Sequence, residues 1–414
     1  MFIRTIFTSG NGSSLFNNLK QVIMKKIIRN YQIFMLFQGL AISFFFGTYQ
    51  LFLVQKGLSL LEINLLNCGF MVANFIFEIP TGAIADFFGR KKSVIIGLSI
   101  YAFSFLVYFF ASSFWYFLIA EILGALAATC VSGALESLAV DEIYEKGAQH
   151  DADALFRKAE IRNIGVLIGV IIGSYLGQFN LALPWILSSI TFAFLAVLTN
   201  FLFKEQRNTV ITEKDVTSTR IKQIAKDSVI YGLKNRRLML GVSFAAILAF
   251  SFQAVNMYWP IVFKENFDLP VKYMGFIFAG VVLSTYGASQ LSKWWQSRIS
   301  CEKKAIFFSQ IFTLLGLIGC YFFLDLSSFL VFFLLHEAGR GLFNPLYRSY
   351  VNKSIDDKNR ATVLSFESMI VKGGAGLGLI VSGFLADSLG ILNTWLIVSL
   401  ILALGIICFW FKNK

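Results

Sequence analysis

Four charged side chains lie inside long apolar stretches of this sequence, namely Glu121, Glu337, Arg340 and Lys372. At the centre of a hydrocarbon layer an ionised side chain costs roughly 2.5 to 3.5 kcal/mol, so such residues are expected to be paired or to face a wet cavity. A carboxyl group in such a place can bind and release a proton. These residues predict proton exchange or ligand binding inside a membrane.

Glu337 and Arg340 lie one helical turn apart, and His336 adjoins them. Residues three apart on a helix are neighbours, so this pair either serves a transport pathway or only neutralises itself as an intrahelical ion pair. Lys372 is a candidate third member. His336 is either a packing residue or a proton relay, and the sequence leaves both readings open.

The composition identifies a membrane protein. The chain has 414 residues, of which 57% are hydrophobic and 14% are charged, whereas soluble chains carry about 25% charged residues. The formal charge of +12 is explained by Lys and Arg at the ends of membrane helices rather than by nucleic acid. The five cysteines are dispersed and predict neither a disulfide framework nor a zinc site.

Apolar runs of spanning length recur along the chain and predict an all-α membrane protein with twelve transmembrane helices. The predicted spans are 31–54, 60–85, 93–112, 114–140, 161–180, 184–203, 238–263, 273–295, 304–324, 328–350, 362–386 and 391–411. Lys and Arg concentrate in the loops that are cytoplasmic if both termini are cytoplasmic, which fixes the predicted orientation. All seven tryptophans lie near predicted span ends, where indoles favour the membrane interface.

The predicted organisation is two six-helix bundles joined by a linker. It comprises a cytoplasmic tail (1–30), an N-terminal bundle (31–203), a cytoplasmic linker (204–237) and a C-terminal bundle (238–414). Residues 1–23 are expected to be a disordered tail, and Met24 is an alternative start. The second part of the linker is either an amphipathic helix on the inner leaflet or a solvated basic loop.

The two halves resemble each other. "GALESLAVDEI" from Gly133 in span four aligns with "GLFNPLYRSYV" from Gly341 in span ten, at a spacing near 208 residues. Two repeated six-helix halves are typical of transporters that bind substrate between the halves.

The loop after span two carries the most specific motif. Gly82, Asp86, Gly89, Arg90 and Lys91 fit the pattern G-x-x-x-D-[RK]-x-G-[RK]-[RK] of the major facilitator superfamily, which this chain resembles from 31 to 411. The family usually has a basic residue where Phe87 stands. The resemblance implies a gating motif that latches the cytoplasmic ends of the halves, with Asp86 facing the start of span eleven. It also implies that spans one and seven line the cavity, where the polar residues are Gln38, Gln50, Gln253 and Asn256.

Span five has glycines at every fourth position, Gly165, Gly169, Gly173 and Gly177. This stripe allows close helix packing. It also resembles the antiporter motif of the drug-efflux branch, although Val170 stands where that motif has proline. Simple helix packing accounts for the stripe equally well.

We therefore expect a secondary active transporter that works by alternating access, is not an enzyme and carries no cofactor. Its expected activity is proton-coupled export of a small amphipathic organic molecule, with Glu121 or Glu337 as the proton carrier. Glu121 is the better candidate of the two, because it has no basic residue within one turn on its own span. The alternative is an uptake symporter or facilitator for a small polar metabolite, and a membrane-embedded enzyme is a distant third. The expected partners are the substrate, a proton or other coupling ion and the lipid bilayer, with no nucleic acid. A monomer in the bacterial cytoplasmic membrane is the expected form.

Overall fold

The computed structural model describes residues 11–145, 159–204, 235–299, 301–353, 355 and 360–411. All long regular elements in these ranges are helices. A helix satisfies every backbone hydrogen bond within its own segment, which a chain surrounded by lipid requires. The predicted linker helix falls within 205–234, outside the described residues.

The first half of the chain contains seven helices within the described ranges. They are α1 (Asn11–Ser43), α2 (Tyr49–Gln55), α3 (Leu60–Phe88), α4 (Arg90–Phe110), α5 (Phe114–Glu145), α6 (Ile161–Gly177) and α7 (Leu183–Leu202).

The second half contains six α-helices in its described part. They are α8 (Arg236–Phe267), α9 (Met274–Arg298), α10 (Glu302–Phe322), α11 (Leu326–Asn352), α12 (Arg360–Leu389) and α13 (Ile391–Phe411). A short 3-10 turn, Val271–Tyr273, precedes α9.

Ten of the described helices are long and apolar enough to cross a membrane. α6 is apolar but has only 17 residues. The first predicted span is divided, because a turn at 44–48 that contains Gly47 separates α1 from α2, and glycine is among the weakest helix formers. Twelve crossings therefore remain a prediction.

The expectation of a disordered tail is wrong for residues 11–23, since α1 begins at Asn11; residues 1–10 lie outside the described part of the chain. Met24, Ile27, Ile28 and Tyr31 are buried. Their spacing of three or four residues places them on one helix face. This apolar stripe continues the helix well before the start of the predicted span.

The chain divides into two compact units, and the division runs through α3. Unit 1 comprises residues 1–47 and 69–210, and unit 2 comprises 48–68 and 211–414. In unit 1, α4 packs against α5 and α7, and α1 packs against α6. In unit 2, α10 packs against α11 and α8 packs against α12. Residues 48–68 thus group with the C-terminal helices, which the predicted domain boundaries did not anticipate.

The interfacial interpretation of the tryptophans is wrong for three of them. Trp185, Trp259 and Trp395 are buried, and the exposed fraction of Trp185 is 0%. Trp395 donates its indole N–H to the carbonyl of Ala254 at 3.1 Å. These indoles fill the interiors of the two units, where a large aromatic ring buries much apolar surface.

Candidate functional site

A cavity of about 380 Å³ lies in unit 2 among α8, α11 and α12. Its wall combines polar and aromatic side chains, including Gln253, Asn256, Arg340, Glu367, Phe252, Phe343 and Tyr347. An apolar lining with a few convergent polar groups is typical of a site for a small organic ligand.

Arg340 is the centre of the charged part of this cavity. Its guanidinium donates to both carboxylate oxygens of Glu337, at 2.9 and 3.1 Å, and to Asn256 Oδ1 at 2.8 Å. It also lies 4.6 Å from the centroid of the Phe252 ring, within cation–π range. Glu337 is buried, whereas Arg340 is partly exposed to the cavity. In this pair the buried carboxylate of Glu337 balances the charge of Arg340, and the guanidinium of Arg340 is the group that a ligand in the cavity can reach.

His336 lies on the other side of this carboxylate and is completely buried. Its Nδ1 is 3.4 Å from the carbonyl oxygen of Thr313, and its Nε2 is 3.8 Å from Glu337 Oε1. The ring meets Phe252 edge to face, with centroids 5.7 Å apart. The imidazole therefore lies between two oxygen atoms, one on α10 and one on its own helix.

The other predicted pathway residues are dispersed. Lys372 is exposed and is not among the residues that line the cavity, so it does not complete the cluster of Glu337 and Arg340. Gln253 lines the cavity and donates to the carbonyl of Ala249 at 3.3 Å. Gln50 is buried in unit 2, and Gln38 is half-buried on α1 in unit 1.

Glu121 belongs to a separate polar and aromatic cluster in unit 1. Its carboxylate accepts a hydrogen bond from the Tyr108 hydroxyl. The Tyr108 ring stacks on Trp185 with centroids 4.0 Å apart, and Phe45 stacks on Trp185 at 4.3 Å. The predicted carboxylate is therefore joined to an aromatic stack through Tyr108.

The loop after α3 has the geometry of a tight turn between two helices. Gly89 has a φ of 106°, a conformation that side chains strongly disfavour, and α4 begins at the next residue. Arg90 forms an ion pair with Asp141 on α5, and Lys91 donates to the carbonyl of Asn200 at 3.2 Å. Gly82 lies in the last third of α3, and the side chain of Asp86 is outside the described part of the structure.

Unit 2 has an equivalent ion-pair cluster that the sequence did not reveal. Glu302, the first residue of α10, lies 2.8 Å from Lys353 Nζ and 3.5 Å from Arg237, and it accepts from Ser349 at 2.7 Å. Arg90 is likewise the first residue of α4. The charges are reversed, since a basic residue begins α4 and an acidic residue begins α10, so the basic pattern of the first half does not identify this cluster. The signal in the sequence is a charged residue at the first position of the corresponding helix in each half.

The glycine stripe of α6 faces α1. A Cβ added to Gly165 would lie 2.2 Å from Leu36 O, and one added to Gly173 would lie 1.7 Å from Phe44 O. Gly169 lies between them and has equally close neighbours on α1. Only glycine permits this approach of the two backbones.

Comparison with known proteins identifies the family. The sequence matches the profile of the Major Facilitator Superfamily at residues 33–300 and 239–414. The chain belongs to the major facilitator superfamily. It is therefore a transporter and not an enzyme, and it is a multi-pass integral membrane protein.

The superfamily relatives are distant. An "Uncharacterized MFS-type transporter YxaM" of Bacillus subtilis is 23% identical over 381 residues, which cover 91% of this chain and 94% of the relative. A "Tetracycline resistance protein, class H" of Pasteurella multocida is 23% identical over 353 residues, covering 82% and 84%. The crystal structure of nucleoside transporter NupG has a TM-score of 0.77 at 18% identity, covering 94% and 100%. The last likeness supports the fold alone.

Proposed function

We propose that this superfamily member exports a small amphipathic organic molecule in exchange for a proton, by alternating access. The observation that carries the proposal is the cavity where Arg340, bound to Glu337 and Asn256, lies against Phe252. Aromatic side chains suit the apolar part of such a molecule, and the polar groups orient its polar part. Twelve crossings and cytoplasmic termini belong to the same proposal.

Export is favoured over uptake by two features. The glycine stripe of α6 resembles the antiporter motif of the drug-efflux branch, and two relatives are named as resistance proteins. One is the tetracycline resistance protein, and the other is "Multidrug resistance protein 2" of Bacillus subtilis, 28% identical over 160 residues. The alternative, uptake of a small polar metabolite, is favoured by the amide groups of Gln253 and Asn256 in the cavity wall.

Glu337 and His336 are the preferred proton site. A neutral imidazole carries a proton on only one of its two nitrogens. The other nitrogen then turns its lone pair toward an oxygen acceptor, which is Glu337 Oε1 if that nitrogen is Nε2 and Thr313 O if it is Nδ1. One additional proton, on the ring or on the carboxyl group, removes this opposition. Arg340 is the neighbouring cation, and Glu367 is the other carboxylate that lines the cavity. Glu121 remains the second candidate.

The test is transport by purified protein in proteoliposomes, with a panel of amphipathic dyes and nucleosides and a pH indicator inside. Export predicts saturable dye flux that reverses with the imposed proton gradient. Glu337→Gln should abolish proton movement and spare dye exchange, whereas Glu265→Gln, at an exposed carboxylate near the end of α8, should behave as wild type. Nucleoside flux without dye flux would favour uptake of a polar metabolite, and non-saturable flux would exclude a carrier.

The proton site also has a test that needs no substrate. The chain has two histidines, His150 and His336, so ¹⁵N-histidine labelling of a His150→Gln variant leaves a single imidazole signal. Over the pH range in which the protein stays folded, the ring nitrogen shifts of His336 should change, and Glu337→Gln should remove or displace that change. Shifts that stay constant over this range would exclude an exchangeable proton at this pair.

A further inference from the structure

The end of α12 repeats the gating motif of the first half. "GAIADFFG" at 82–89 and "GFLADSLG" at 383–390 share the pattern G-x-x-A-D-x-x-G. The structural setting is also the same. In each segment the helix ends one residue before a glycine with positive φ, 106° at Gly89 and 85° at Gly390, and the next helix begins at the residue after that glycine.

The aspartate of this second motif caps the start of α3. Asp387 Oδ1 accepts from the Leu60 N–H at 2.9 Å, and Oδ2 accepts from the Leu61 N–H at 3.0 Å. The first backbone N–H groups of a helix lack partners within the helix and attract negative charge. Ser59 Oγ accepts a hydrogen bond from the next backbone N–H, that of Glu62, at 3.2 Å. The cap of α3 is therefore completed by a residue more than 300 positions away.

Below this cap, the two helices remain in contact for about two turns. A Cβ added to Gly383 would lie 2.8 Å from Leu61 Cα. Asn64 is completely buried, and its amide donates to Leu379 O at 2.7 Å and to the Tyr258 hydroxyl at 2.6 Å. These contacts explain why residues 48–68 group with unit 2 although they precede the rest of unit 1 in the sequence.

We propose that Asp387 is a positioning residue of the transport cycle and that the segment 383–390 is an outer latch, the counterpart of the motif at 82–89. The inference rests on the proposed alternating access and on the predicted topology, which places the turn after α12 and the start of α3 on the outer face. The latch holds the outer end of α3 on α12 when the pathway is closed to the outside. It releases the Leu60 and Leu61 amides to water when the outside opens.

Hydrogen–deuterium exchange of the full-length protein in lipid nanodiscs tests the latch without a substrate. Asp387→Ala should speed exchange at Leu60 and Leu61 by about two- to fivefold, the effect expected for loss of a charge at a helix N-terminus. Asp387→Asn, which keeps one acceptor without the charge, should fall between Ala and wild type. Spin labels at Asn180 and Glu265, both at outer helix ends in the predicted topology, should report a larger population of longer distances between the two labels in Asp387→Ala.

Asp325→Ala is the matched control, because Asp325 is also exposed and caps the start of its own helix, α11, by accepting from Ser328 N at 2.9 Å. It should speed exchange near Ser328 and leave both Leu60 exchange and the label distances unchanged. The latch would be overturned if Asp387→Ala and wild type showed equal amide exchange at Leu60 and Leu61 and equal label distances. It would also be overturned if Asp325→Ala lengthened the label distances as much as Asp387→Ala does. If Asp387→Ala lengthens the label distances in nanodiscs but the wild-type protein transports no dye in proteoliposomes, the proposed substrate class is rejected and the latch is retained.

Discussion

Replacing Gly173 by alanine should destabilise unit 1, although alanine is normally the better helix former. The added Cβ would lie 1.7 Å from the Phe44 carbonyl oxygen in the turn that follows α1, whereas ordinary contact begins at 3.4 Å, so α6 must withdraw from this turn by about 1.7 Å. The obstacle is backbone, which cannot rotate away as a side chain can. Overpacking of this kind costs about 1 to 3 kcal/mol.

The matched control is Gly133→Ala in α5, where no described atom beyond the neighbouring residues of the same helix lies within 4 Å of an added Cβ. Relief of the helix penalty of glycine should stabilise this variant by up to about 1 kcal/mol. Thermal unfolding of the two purified proteins in the same detergent, followed by circular dichroism, should therefore move their midpoints in opposite directions. Equal midpoints would refute the argument that the glycine stripe sets the distance between α1 and α6.

Three further outcomes follow from the ionic contacts. Glu302→Gln should speed amide exchange around Ser349 in unit 2, because Lys353 loses its partner; exchange equal to wild type would show that the cluster adds no order. Asp325→Ala should lower the unfolding midpoint at neutral pH, and the difference from wild type should begin to shrink below about pH 3.9 and vanish below the lowered pKa. The hydrogen bond from the Ser328 backbone lowers the pKa of Asp325 in the folded protein, so its contribution is present above the ordinary carboxyl range and is lost as the pH falls through the lowered pKa. Arg340→Lys should abolish dye transport although it keeps the charge, because an ammonium group lacks the flat guanidinium that lies 4.6 Å from the centroid of the Phe252 ring; transport at the wild-type rate would exclude a role for that geometry.

Most of the helical pattern could be predicted from the sequence, because each spanning segment must be apolar over a fixed length. The two failures have local causes. The turn at 44–48 lies within an uninterrupted apolar run, and hydropathy does not detect a break in backbone hydrogen bonding. The start of α1 was missed because a mixed polar and apolar helix has the composition of a tail.

The candidate site was predictable in part. Glu337 and Arg340 were detected because charge is conspicuous in an apolar run, and their spacing implied contact. Asp387 was missed because it looks like an ordinary polar residue at a helix end, and its partners are backbone amides far away in the sequence. A contact between a side chain and a distant backbone leaves no pattern in a single sequence unless the motif itself is repeated.

The stack of Phe45, Trp185 and Tyr108 has a spectroscopic consequence. Trp185 is buried and lies directly against the ring whose hydroxyl binds Glu121. Any change in the charge of that carboxylate alters the electric field across the indole. Trp185 is thus a native fluorophore for the state of Glu121, and a variant that keeps Trp185 as its only tryptophan would make proton binding there visible as a change in emission, without an added label.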